Sequence, residues 1–531
     1  MFDCIVKCGL VFDGSGSPGI IQDIGISNGV IAALGDIERT AAREVFEARN
    51  FVVCPGFIDI HSHSDFNLLV EPPGRSKILQ GVTTEVCGNC GLSGAPLLGR
   101  AKEQRQKSLT GLGLPLDWST LQEYVELLHK RRLYGNVALL IGHGNLRGSV
   151  IGYENRRPSQ KEMDHMVSLL KEGMEGGAWG LSSGLFYPPG AYAEDEELIV
   201  LARIAAQYGG IYASHIRSEE DSVVEAVAEA LKIGREAGVS VQISHLKTMG
   251  EKNWSKLPSI FNAIEGAINE GLDISADRYP YTAAATDLDA LLPAWACEGG
   301  IEAELERLRN KELQERIFAG ITNSRKPEEI FDRVLISRVF NEHNKELEGK
   351  TVAEAAGLRN QNIQEMFFNL LLDEKVRVDA IFFTMSEENL RAIYQQDYVM
   401  VGSDSAAWDT EGVLGEGKPH PRSFGAFPRV LRRYALDDTV LKLEQAVRKM
   451  TGQPAAKLGL QDRGLIKQGY KADVVILKTE ELRDRATYAN PHQFPEGIYR
   501  VMVNGRWVVQ DGHITDERPG MVLLKNKGRM I

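Results

Sequence analysis

His61-Ser62-His63-Ser64-Asp65 follows the apolar run FIDI directly. Residues two apart on a strand share a face, so both imidazoles can reach one metal ion, and imidazole is a standard zinc ligand. His215 closes YASH and His245 closes VQISH, each after an apolar run and thirty residues apart, about one βα unit. If these strands are neighbours, four imidazoles converge on one mouth. Cys87-Gly88-Asn89-Cys90 has no second CxxC or C-x-x-H partner at knuckle spacing. One thiolate is therefore expected to join the histidines as a soft ligand, its proton displaced by the metal. The adjoining glycines let the backbone approach the ion closely. Spacing alone leaves Cys87 and Cys90 both open. Asp404 ends the run YVMVGSD. A carboxylate there can take a proton from water and pass it to a leaving amine, or simply cap the following helix.

These residues need strands to carry them. The middle of the chain alternates apolar runs (FVVCPGFIDI, NVALLIG, GAWGLSSG, GGIYASH, SVQISH, GLDISADRY, RVDAIFF, YVMVGSD) with amphipathic stretches such as 160–175 and 222–237. Continuous Val/Ile-rich runs are what buried parallel strands look like. Eight βα units predict a TIM-type (β/α)8 barrel, whose active sites sit at the carboxyl ends of the strands. An open doubly wound sheet is the alternative, but no GxGxxG opens a helix after the first run. Short β-prone stretches with Gly/Asn turns occupy both ends, with a hairpin signal at Asn504-Gly505. They predict one small β domain from 1–54 and 461–531, beside a barrel over 55–460. Within the barrel, about 286–349 reads as a helical insertion, charge-dense and with Leu305, Leu308, Leu313 and Ile317 at helical spacing.

The 531 residues carry a formal charge of -12, with 43% hydrophobic and 25% charged residues. That balance argues against a nucleic-acid partner, which needs concentrated Lys and Arg. Six cysteines are too few for a disulfide scaffold. There is no basic n-region before an apolar core, and no apolar run nears the ~20 residues needed to span a bilayer. A cytoplasmic protein acting on a small molecule, with no membrane partner, is expected. Oligomeric state is not legible.

From VFDGSG to the NPHQFPEGI…VNGRWVV tail the chain resembles the N-acyl-D-amino-acid deacylases (D-aminoacylases) of the amidohydrolase superfamily. The resemblance runs through PGFIDIHSHSD, GVTTEVCGNCGLS, GLSSGLFYPPG, ASHIRSE, ISHLK, DRYPYTA, GSD and HPRSFGAFPR. HxH marks only the superfamily; GNCG, HIRSE, HLK and HPR together are more specific.

The resemblance implies a zinc-bearing (β/α)8 barrel with a β-sandwich-like domain from both termini. It selects Cys90 as the ligand, joined by His215 and His245 around a tightly held zinc. His61 and His63 then line a second, weakly occupied metal position, and Asp404 is the general acid/base. It also implies that Lys247, Tyr279 and Arg422 clamp the substrate carboxylate, which needs charge-assisted partners once buried. His143, ending LLIGH, is expected to donate to the scissile carbonyl. Leu292 and Trp295 in ALLPAWACEGG, with no Arg or Lys beside them, point to apolar D-amino acids. The competing readings are a cyclic-amide hydrolase of the dihydroorotase or hydantoinase kind, whose bridging lysine is missing from GAWGLSSGL, and a non-catalytic scaffold on the same fold.

Overall fold

The computed structural model describes residues 1–323 and 325–525. Eight parallel strands form its centre: β1 (Phe57–Asp59), β2 (Val82–Cys87), β3 (Asn136–Leu139), β4 (Gly180–Gly184), β5 (Ile211–His215), β6 (Ser240–Ile243), β7 (Ile274–Arg278) and β8 (Val399–Val401). β1, β2 and β3 pair in sequence order, and β4 to β8 do the same. The two runs join where Ile141 and Gly142, just past β3, pair with Leu181 and Ser182 of β4. A parallel bridge between Ser62 and Ser405 closes the barrel from β8 to β1. Val522–Leu523 pairs with Val137 and Ala138 of β3, and Trp179, just before β4, donates to the Leu523 carbonyl at 2.6 Å, so this segment lies between β3 and β4.

Helices between the strands show their signals locally. Gln160–Glu175 begins at a Ser159/Glu162 capping box, and Met166, Leu170 and Met174 bury one stripe. Val223–Ala237 buries Val223, Val227, Ala230 and Ile233 and stops at Gly238 in the left-handed region. No helix among the described residues is long and apolar enough to cross a membrane.

Strands from both ends of the chain build one nine-stranded sheet. Phe2–Val11 changes partners along its length: Phe2 to Lys7 align with Ala42–Glu47, and Leu10 and Val11 with Val52–Pro55. Asn504 and Gly505, both with positive φ, turn Ile498–Val503 into Arg506–Gln510, as a two-residue hairpin requires.

Two expectations change. RVDAIFF is not a barrel strand: Asp379–Phe382 is the middle strand of a separate three-stranded sheet, between Ala284–Asp287 and Val334–Arg338. The missing barrel strand is β2, VTTEVC, buried throughout although it carries two threonines and a glutamate. That glutamate and its neighbours find hydrogen-bond partners inside the molecule, which hydrophobicity cannot reveal. A separate hydrophobic core takes in Phe367, Leu371 and Phe382 together with Leu305, Leu308 and Ile317 of the expected insertion.

Candidate metal centre

The chemically promising side chains all sit just past the carboxyl ends of barrel strands. His61 and His63 follow β1, Cys90 follows β2, His215 ends β5, His245 follows β6 and Asp404 follows β8. Cys90 Sγ lies 3.3 Å from His61 Nε2 and 3.5 Å from His245 Nε2. Asp404 Oδ1 lies 3.1 Å from His63 Nε2 and 3.4 Å from His61 Nε2. The His215 and His245 rings meet edge to face at 4.4 Å.

Backbone conformation at these positions is unusual. Cys90, His245 and Asp404 have φ of 52°, 35° and 51°, a region costing non-glycine residues about 1–3 kcal/mol each when the surroundings hold them there. The surroundings do so. His245 N–H donates to Asp277 Oδ1 at 2.9 Å, and Asp404 N–H to the His61 carbonyl at 2.8 Å. Around Cys90, a side chain at Gly88 would meet the Leu140 carbonyl at 2.3 Å, and one at Gly91 the Gly184 nitrogen at 2.6 Å. The glycines of GNCG are what let the thiol loop press against β3 and β4.

The donor set suits a borderline-soft divalent cation. Ligand atoms of His61, Cys90, His245 and Asp404 lie within 4.8 Å of one another, as do those of His215, Glu219 and His245. Both ring nitrogens of His215 are buried without a hydrogen-bond partner, a costly arrangement unless something else binds them. Burial opposes ionisation of Cys90, but His61, His245 and His215 hold its thiol well below the usual range, which favours the ligating thiolate. Imidazole and thiolate are zinc donors, so these residues fit zinc. Cys87 is buried, and burial with Asp65 and Glu85 nearby pushes its thiol up; it stays a neutral neighbour.

Sequence reasoning missed two carboxylates that orient the candidate ligands. Asp277 Oδ1 lies 3.0 Å from His61 Nδ1 and also takes the His245 N–H, so one oxygen aligns candidate ligands that follow β1 and β6. Glu219 Oε1 lies 2.9 Å from His245 Nδ1 and pairs with Lys247. Asp277 ends the apolar run GLDISAD, as Asp404 ends YVMVGSD, and that shared context was the available signal.

The expected carboxylate clamp is gathered around one ring. Arg422 Cζ stands 4.6 Å and Lys247 Nζ 5.8 Å from the Tyr279 ring centroid, and the Tyr279 hydroxyl is buried without a partner. Both cations already have anionic neighbours, Arg422 with Asp404 Oδ2 at 2.8 Å and Lys247 with Glu219. Burial raises the Asp404 carboxyl, but Arg422, His245, His63 and His61 outweigh it and hold Asp404 well below the usual carboxylate range.

The surroundings of the remaining expected residues differ from one to the next. His143 Nε2 binds Glu197 Oε1 at 2.8 Å, and Glu197 also pairs with Arg147, while His143 Nδ1 is buried without a hydrogen-bond partner. Leu292 is spent in the core of the inserted unit, and Trp295 packs against that core beneath Arg316. Leu92, two residues past Cys90, and Phe186 stay open, 42% and 38% exposed. Phe186 stacks on His215 at 5.8 Å, and Tyr187 meets the same ring edge-on at 5.0 Å.

A metal-binding constellation spread over five strand ends of a (β/α)8 barrel defines a metal-dependent hydrolase architecture. The Amidohydrolase family model matches residues 44–509, and the chain belongs to that family. It is 35% identical to a D-aminoacylase of Alcaligenes xylosoxydans xylosoxydans, over 99% of this chain and 98% of that one. It is 36% identical to an N-acyl-D-glutamate deacylase of the same organism, over 99% and 97%. Among solved structures, N-acyl-D-glutamate deacylase from Bordetella bronchiseptica, complexed with zinc and a phosphonate inhibitor, superposes with a TM-score of 0.84 at 34% identity, covering 98% of this chain and 99% of that one.

Proposed function

We propose that this protein hydrolyses the amide bond of N-acyl-D-amino acids, releasing a carboxylic acid and a free D-amino acid, with zinc at the cysteine–histidine centre. The observation that carries the reading is the join between two clusters. Asp404 touches His61 and His63 on one side and Arg422 on the other, so a carboxylate-binding group and a proton-transfer group share one face of the site.

Cys90, His215 and His245 are the residues to hold the tightly bound zinc, with His61 and His63 lining a second position. Bound zinc would polarise the scissile carbonyl and ease deprotonation of water at neutral pH. Asp404, kept ionised by Arg422 and the histidines, accepts the proton of the attacking water at Oδ1 or Oδ2. It then returns that proton to the amine as the C–N bond breaks. Lys247, Tyr279 and Arg422 bind the substrate's α-carboxylate, which supplies the unpaired Tyr279 hydroxyl with an acceptor. Phe186 and Leu92 offer apolar surface beside the cluster, and we infer a preference for apolar side chains from them. His143, held through Nε2 by Glu197, has Nδ1 free of any partner and would donate from it to the scissile carbonyl. β4 reads GLSSG and holds no lysine to bridge two metals, which disfavours the cyclic-amide reading. The cytoplasm is our placement, from the low cysteine density.

The test is amine release from paired N-acetyl-D- and N-acetyl-L- forms of Met, Leu and Glu, using zinc-loaded protein. Hydrolysis of the D-forms alone, fastest for Met and Leu, supports the reading. Zinc-loaded protein that cleaves neither enantiomer overturns it, and faster turnover of the D-Glu substrate overturns the apolar preference.

A further inference from the structure

Behind the His61–His63 segment lies a second polar cluster that no part of the proposed reaction uses. Its centre is Lys77, 3% exposed. An ammonium has three donors, and Lys77 spends all three: on Asp59 Oδ2 at 2.5 Å, Ser403 Oγ at 2.5 Å and the Ser405 carbonyl at 2.8 Å. Two of these acceptors are the immediate neighbours of Asp404. The third belongs to β1, and Asp59 also takes the Ser403 N–H at 2.9 Å and the His61 N–H at 3.3 Å.

The same cluster grips the other side. Glu85 on β2 lies 3.8 Å from Lys77 and accepts from Ser62 Oγ at 2.6 Å and Ser64 Oγ at 2.5 Å. Ser64 Oγ in turn accepts the Ala407 N–H at 2.7 Å. The serines that alternate with His61 and His63 are thereby bonded to the loop that carries Asp404. That loop lies at the barrel's closure, where the ladder between β8 and β1 is reduced to a single bridge. Asp404 there holds its left-handed φ of 51°, and side-chain bonds replace the missing ladder.

We propose that Lys77 is a positioning residue for the reaction: through Ser403, Ser405 and Asp59 it sets the direction of the Asp404 carboxylate relative to His63. A buried charge is tolerated only when paired and hydrogen-bonded, and the acceptors here lie on both sides of the proton-transfer group. The inference rests on the function proposed above for Asp404.

Lys77→Met and Ser403→Ala test it, the second keeping the Lys77–Asp59 ion pair intact. In Lys77→Met, kcat should fall by about 10²-fold, the scale of a ~1 Å misplacement, with KM and bound zinc near the parent values. Ser403→Ala should fall by about tenfold in the same pattern. Folded, zinc-loaded Lys77→Met with kcat within about threefold of the parent overturns the proposal, as does kcat falling only in step with zinc loss. If Lys77→Met does not fold, Ser403→Ala decides by the same criteria. Crystal structures of the folded variant add a readout independent of substrate. Asp404 should leave its left-handed φ of 51° and part from His63 while Cys90 and His245 stay, and an unmoved loop overturns the proposal. Should the parent cleave no N-acyl amino acid, the functional reading fails, while a displaced loop still supports the positioning role.

Discussion

Replacing Asp404 by asparagine removes one proton-transfer group and almost nothing else. The amide is isosteric with the carboxylate. Its oxygen can face Arg422, now 2.8 Å from Asp404 Oδ2, while its nitrogen faces His63 Nε2, now 3.1 Å from Oδ1. Both neighbours then keep a complementary partner, as donor and acceptor respectively. Arg422 loses a charged partner, so a stability loss of about 1–3 kcal/mol is expected. Catalysis should suffer more. One general acid–base transfer contributes about 10²–10⁴-fold, and Asp404 serves twice, first taking and then returning the proton. We expect kcat to fall by at least about 10³-fold, or ~4 kcal/mol of activation free energy. The assay is amine release from the D-substrate that the parent cleaves best, with zinc measured on the same sample. Turnover within tenfold of the parent, by a folded variant with normal zinc, would refute the assignment of both transfers to Asp404.

Asp277→Asn should weaken zinc binding by about 10–100-fold, the usual scale for losing a ligand-orienting partner. Competition with a chromogenic chelator reads this directly, and unchanged affinity would rule out its orienting role. Arg422→Met should act on two quantities. The KM for N-acyl amino acids should rise by at least about 30-fold, as loss of a buried charge partner costs ~2–5 kcal/mol. The acidic limb of kcat should also move to higher pH. The sign follows from Arg422 being the largest influence that lowers the Asp404 carboxyl: without it, the folded-state pKa rises and the active carboxylate is lost earlier as pH falls. A pH–kcat profile that does not move would exclude that coupling.

Much of the site was legible in the chain itself. HxH after an apolar run, His at two later strand ends and Asp at the last are local patterns, and each residue stands where that context placed it. The helix 160–175 was readable for the same reason, since capping and the 3.6-residue stripe are set by near neighbours. RVDAIFF and VTTEVC show the limit. An apolar run of strand length is equally suited to a barrel or to the sheet of an inserted unit, and only the path of the chain assigns it. A buried polar strand such as β2 is stabilised by partners distant in sequence: Glu85 reaches Ser62 and Ser64, and Asn136 beside it binds the Thr83 carbonyl.

Residue types and strand-end positions were thus set by the sequence, because periodicity and caps act over a few residues. Tertiary structure alone decided that Asp277 would align His61 with His245, that Glu197 would claim His143, and that Lys77 would hold both flanks of Asp404. Those choices join segments separated by 32 to 328 residues. A charged group buried there takes whichever partner barrel closure brings within about 3 Å, and no local pattern encodes that proximity.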